Sequence, residues 1–203
     1  MPFIRGQIHQ QIRDHFADHQ RERVRPGDAV LLSGPIGDHG ITIMLARGGV
    51  DLSTDLTSDS RSLLPLTRAL LDALGHGVRW MRDATRGGVA TVLNELTMGR
   101  GLGVEITERD VPIRDAVRGA CELLGLDPLH VANEGQFIAV VDAEHANDAL
   151  DALSSVPGGG EARLIGTVTD AHPGRVVGRT DFGARRVIDA VAKRAQLTAH
   201  RQQ

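Results

Sequence analysis

Two glycine-rich segments constrain this chain more than any other feature. Gly34-Pro35-Ile36-Gly37-Asp38-His39-Gly40 follows the apolar run Ala29 to Ser33, and a helical pattern follows it from about Ile41 to Arg47. Asp83-Ala84-Thr85-Arg86-Gly87-Gly88 follows the strand-like Val78 to Met81 and runs into a helix through Ala90, Leu93, Asn94 and Leu96. A helix N-terminus offers free N–H groups and a positive dipole end, which favour phosphate. Glycine lets the backbone approach an anion closely. Neither segment is a Walker A loop or a dinucleotide fingerprint, so each reads as a structural turn or as a ligand loop.

The residue types in these loops widen the options. Arg82 and Arg86 suit phosphate or carboxylate. Asp83 could orient an arginine, cap the helix or hold a divalent cation, and His39 could donate to an anion or exchange a proton. Glu134 lies in the tight turn Asn133-Glu134-Gly135 before the apolar run Phe137 to Val141. A carboxylate there is either a solvated turn residue or a base at the edge of the core. Asp127 and Asn133 read as turn formers.

Elsewhere the pattern mixes strands and helices without a clean βαβα alternation. Leu63, Leu66, Leu70 and Leu74 trace a helix face ended by Gly75, and Ile113 to Leu124 forms another helix with Cys121 on its inner side. Gly103 to Thr107, Leu164 to Val168 and Arg175 to Val177 read as strands. A helix is expected near Glu144 to Leu153, and Ala184 to Ala195 suggests a last one. The expected fold is α+β: one compact domain with helices packed on a mixed or mainly antiparallel sheet. Residues 1–24 read as an N-terminal extension with a short amphipathic helix through Ile4, Ile8, Ile12 and Phe16, residues 25–195 as the domain, and 196–203 as a frayed tail.

Composition narrows the function classes. Aromatics are 2% of the residues, so an aliphatic core is expected and stacking platforms for single-stranded nucleic acid are scarce. Net charge is −3 with no basic stripe, so no nucleic-acid partner is expected. Lys193 is the only lysine, which leaves anion contacts to arginine and backbone N–H. His15 and His19 stand four apart without an obvious third ligand, so no metal site is expected there. No apolar run reaches membrane-spanning length and no signal-peptide core opens the chain, so a cytoplasmic protein without a membrane partner is expected.

Six strings in order carry a resemblance: Pro26-Gly27-Asp28, Gly37–Gly40, Arg82–Gly88, Leu93-Asn94-Glu95, Cys121 to Leu129 and Val131 to Gly135. Together they resemble the C-terminal domain of the HypE hydrogenase-maturation family, over about Arg25 to Ala190. That family belongs to a PurM-like superfamily with aminoimidazole ribonucleotide synthetase, selenophosphate synthetase and thiamine-phosphate kinase. The resemblance implies a PurM-like C-terminal domain fold and a part in the ATP-dependent dehydration of a protein thiocarboxamide to thiocyanate. That product supplies the cyanide ligand of NiFe hydrogenase. It implies ATP and Mg2+ as cofactors, and HypF, HypC and HypD as partners. It assigns Glu134 and His39 to catalysis, and Gly37, Asp38, Gly40, Arg82, Asp83, Thr85, Arg86, Gly87 and Gly88 to nucleotide or phosphate binding.

Two departures qualify that expectation. The family's N-terminal ATP-binding domain has no counterpart in residues 1–24, and the family ending Pro-Arg-Ile-Cys is replaced by His200-Arg201-Gln202-Gln203. A thiolate carries the chemistry, so the chain alone is not expected to complete the reaction. A separate ATP-binding domain is expected to be needed, and a homodimer is a further expected partner state. The alternatives are a non-catalytic module that docks maturation partners and a superfamily enzyme with a different substrate.

Overall fold

In the computed structural model, residues 18–48 and 55–190 are described. The sheet has seven strands: β1 (Ala29–Leu32), β2 (Val78–Asp83), β3 (Gly103–Thr107), β4 (Phe137–Val141), β5 (Arg163–Thr169), β6 (Val176–Arg179) and β7 (Arg185–Val187). Their spatial order is β2-β4-β1-β5-β3-β6-β7. Every neighbouring pair is antiparallel except β3 with β6. The α-helices among the described residues are α1 (Asp38–Ala46), α2 (Leu64–Leu74), α3 (Gly88–Thr97), α4 (Asp115–Leu124) and α5 (Ala146–Ser154). This is the α+β arrangement, helices packed on a mixed and mainly antiparallel sheet, that the sequence predicts.

Period-two alternation explains how helices come to cover both faces. Val30 and Leu32 of β1 join α3 residues Val89, Val92, Leu93 and Leu96 in one cluster. Ala29 and Leu31 point the other way, into a cluster with Leu66 and Leu70 of α2 and Ala149 and Leu153 of α5. Strands buried on both faces need no polar side, so β1 and β4 are continuous apolar runs. Helices α1 and α4 pack on each other through Ile41, Val117, Ala120, Cys121 and Val131.

Two elements differ from the sequence reading. Helix α1 begins at Asp38, not Ile41, because Gly37 takes the left-handed conformation (φ 90°) that starts the helix there. Asp38, His39 and Gly40 therefore form its first turn. The expected last helix is not formed over its described part, since Arg185–Val187 is a strand paired with β6. The turn Thr180 to Gly183 reverses the chain, with Gly183 at φ 79°, and Arg186 is then pinned by Glu108 and Asp127, each at 2.6 Å. Those charge-assisted bonds hold the segment extended against its helical pattern. The expected helix through Ile4 to Phe16, the His15–His19 pair and the tail lie outside the described residues, while Asp18–Arg23 form a 3-10 helix.

Candidate functional site

Asn133 is fully buried and joins the motifs physically. Its Oδ1 accepts from Gly37 N at 2.7 Å, and its Nδ2 donates to Ala84 O at 3.1 Å and Val131 O at 3.0 Å. Its own N–H donates to Ala84 O at 3.2 Å. Both glycine loops are thus tied to the turn that holds Glu134. A buried amide must spend its donors and acceptor, and this one spends them on three backbone segments. The sequence reading gives Asn133 only a turn-forming role and misses this hub.

The first loop is held close against that turn. Gly40 N donates to Ala132 O at 3.1 Å, and a Cβ on Gly40 would stand 2.5 Å from Val131 Cγ1. Asp38 is buried, and Arg114 Nε donates to its Oδ2 at 2.9 Å. His39 stays half-buried, with Nδ1 2.9 Å from Ser58 Oγ.

The second loop follows the same logic. Gly88 sits at φ 61°, where a Cβ would stand 2.5 Å from Leu129 O and 2.6 Å from Val131 O. Close packing of backbone on backbone therefore accounts for this glycine. Gly87 (φ 69°) starts α3, so Asp83 does not cap the helix; it accepts from Thr85 Oγ1 at 2.7 Å. Arg82 Nε lies 2.9 Å from Glu95 Oε2, and Arg86 is exposed.

A strap that the sequence reading overlooks, Ser58-Asp59-Ser60-Arg61, crosses the same turn. Asp59 Oδ1 accepts from Glu134 N at 3.2 Å, and Arg61 Nε donates to Gly135 O at 2.9 Å. The Arg61 head reaches Gly158 O at 2.7 Å and Gln136 Oε1 at 3.1 Å. The only available signal is the run of Ser, Asp and Thr, whose side chains favour local turn bonds over helix or strand. The strap walls a polar cleft of about 420 Å³, lined also by Asp38, Arg114 and Glu161. Asp38 is the one residue predicted for the site that lines it.

Electrostatics in the cleft are asymmetric. Burial raises the Asp38 carboxyl above its ordinary value, against the Arg114 bond, and Asp59 and Glu161 add repulsion. Arg114, with a side chain 47% exposed against 7% for Asp38, is held more basic by its bond to Asp38. Native Asp38 therefore holds its proton more tightly than the unfolded chain does. Its stabilising contribution is complete below the ordinary value of 3.8 and is lost as pH rises through the raised native value. Asp38→Asn keeps an acceptor for Arg114 and removes that loss. In urea denaturation from roughly pH 4 to 7, the stability difference should shift in the variant's favour as pH rises. A pH-independent offset would contradict this.

Cys121 is buried, and burial pushes its thiol up to about 11. A protonated core thiol is a poor nucleophile, so this cysteine does not stand in for a reactive one. No helix among the described residues is long and apolar enough to cross a membrane.

Comparison with known proteins matches this geometry to a family. The model for the AIR synthase related protein C-terminal domain matches residues 25–179. Carbamoyl dehydratase HypE of Azotobacter vinelandii is 48% identical over 168 residues, 83% of this chain and 49% of that protein. A crystal structure of hydrogenase maturation protein HypE in complex with ATP superposes with a TM-score of 0.79 at 40% identity, over 85% of this chain and 53% of the other. A chain of a crystal structure of a HypE–HypF complex gives 0.77 at 40% identity, over 82% of this chain and 53% of that one. The chain spans about half the length of the curated relatives it matches. It belongs to the AIR synthase related C-terminal domain family, as a homologue of the HypE hydrogenase expression and formation proteins.

Proposed function

We propose that this domain takes part in HypE-type dehydration of a protein-bound thiocarboxamide to a thiocyanate, together with a separate ATP-binding domain. The thiocarboxamide oxygen takes a phosphoryl group from ATP, and ADP leaves. Removal of the N–H protons and loss of phosphate then leave the nitrile. In this reading Glu134 accepts a proton and His39 assists on the neighbouring loop. The observation that carries it is Asn133, whose buried amide ties the turn bearing Glu134 to both glycine loops. One rigid cluster then holds both candidate groups, as proton transfer requires.

The nucleotide fits this chain in part. Exposed Arg86 and Gly87, at the N-terminus of α3, suit a phosphate contact. No trio of His, Cys, Asp or Glu arranged for a metal occurs among the described residues. Mg2+ would therefore be held by the phosphates and by the partner domain. The HypE–HypF complex supports HypF as a partner, and HypC and HypD follow from the same reaction sequence.

The test mixes this chain with a purified ATP-binding half and a carbamoylated peptide ending in cysteine. Phosphate release and a mass loss of one water on the peptide are expected, both dependent on Glu134. No release with any ATP-binding half would overturn the proposal. Capture of HypF without hydrolysis would instead establish a docking module.

A further inference from the structure

We propose that the Ser58–Arg61 strap is a positioning element that fixes the tautomer of His39 and the backbone of Glu134; it deepens the reading above. A hydroxyl has one proton and two lone pairs. Ser58 Oγ donates to Ser60 Oγ at 3.0 Å and accepts from Ser60 N at 3.2 Å. Its remaining lone pair faces His39 Nδ1 at 2.9 Å, and Ser60 Oγ lies 3.5 Å from the same nitrogen. With the Ser58 proton spent on Ser60, the ring is proposed as the donor. Neutral His39 carries its proton on Nδ1 and a lone pair on Nε2, since the bond at one ring nitrogen sets the state of the other.

The same strap holds Glu134 through its backbone. The Asp59 carboxylate accepts from Glu134 N at 3.2 Å. A Cβ on Gly135 would stand 2.8 Å from the Asp59 carbonyl carbon, so only glycine lets the strap lie this close. Arg61 fastens Gly135 O, and its other two bonds, to Gly158 O and Gln136 Oε1, fix the guanidinium plane. Four successive residues thus reach His39 on one side and the Glu134 turn on the other. A strap that merely covered the end of the sheet would need neither the serine pair nor the Asp59 acceptor.

Two measurements on the full chain test this without turnover. Long-range proton–nitrogen NMR of histidine-labelled protein with the ring neutral should show His39 with a protonated Nδ1 and a bare Nε2. Ser58→Ala should move the ring toward the other tautomer. An Nε2–H ring in the native chain, or an unchanged tautomer in the variant, overturns the proposal. Amide exchange at Glu134 should accelerate more than tenfold in Asp59→Ala beyond any change in global stability measured by urea. Asp59→Asn, which keeps an oxygen acceptor, should stay within about threefold of the native rate. Exchange in Asp59→Ala that only follows global stability overturns the backbone half. If the reconstituted pair turns over, Ser58→Ala should lower kcat and leave the KM for ATP unchanged. An intact tautomer and intact protection with no turnover would remove the proposed reaction and leave the positioning role standing.

Discussion

Replacing Asn133 with alanine should lower stability by about 3–5 kcal/mol. The side chain serves three backbone groups, at Gly37, Ala84 and Val131, in a fully buried place. Gly37 N and Val131 O lose that partner, while Ala84 O keeps the main-chain N–H of residue 133. Each orphaned group costs about 1–3 kcal/mol, and for a domain of this size that total lowers Tm by roughly 10 °C. Asn133→Asp should be no better. It keeps an acceptor for Gly37 N but turns a second oxygen toward the carbonyls of Ala84 and Val131. Urea denaturation with an unchanged slope would measure the loss. A loss under about 1 kcal/mol in the alanine variant would mean that water replaces the amide, and Asn133 would no longer join the motifs.

Gly88→Ala should cost about 3 kcal/mol or more, for two separable reasons. A left-handed conformation costs a residue with a Cβ roughly 1–2 kcal/mol. Gly88 adds an overlap that no side-chain rotation relieves, since the carbonyls of Leu129 and Val131 are main chain. Gly99 supplies the control, with φ 69° and nothing within 4 Å of its missing Cβ. Gly99→Ala should therefore cost only the conformational share. The difference between the variants, read from denaturation curves, is the energy of the close approach. Equal losses would show that Leu129 to Val131 yields easily.

The fold was legible where a local rule acts alone. Phe137–Val141 matches the sequence reading because an apolar run of that length between turn residues has few other uses. Gly103–Thr107 matches through its alternation. The stretch after Ala184 misleads because its helical pattern is overruled by distant partners, Glu108 and Asp127, which no local rule can see. The site is legible only in its punctuation. Gly37, Gly40 and Gly88 stand out in the sequence, yet contacts with Asn133, Val117, Val131 and Leu129 explain them, and those come from elsewhere in the chain. Ser58 to Arg61 is invisible for the opposite reason. It has neither periodicity nor glycine, and its meaning lies in what it touches.

The strand order also has a consequence for synthesis on the ribosome. Strands β1, β2 and β3 do not pair with one another; β1 and β2 pair with β4, and β3 with β5 and β6. Among the described strands, no ladder can form until Phe137–Val141 has emerged. At a synthesis rate of about 5–20 residues per second, the wholly apolar β1 waits roughly 5–20 s for its first partner. Nascent chains paused before that point would display β1 as an unpaired edge, the form most open to chaperone capture or to pairing with the wrong chain.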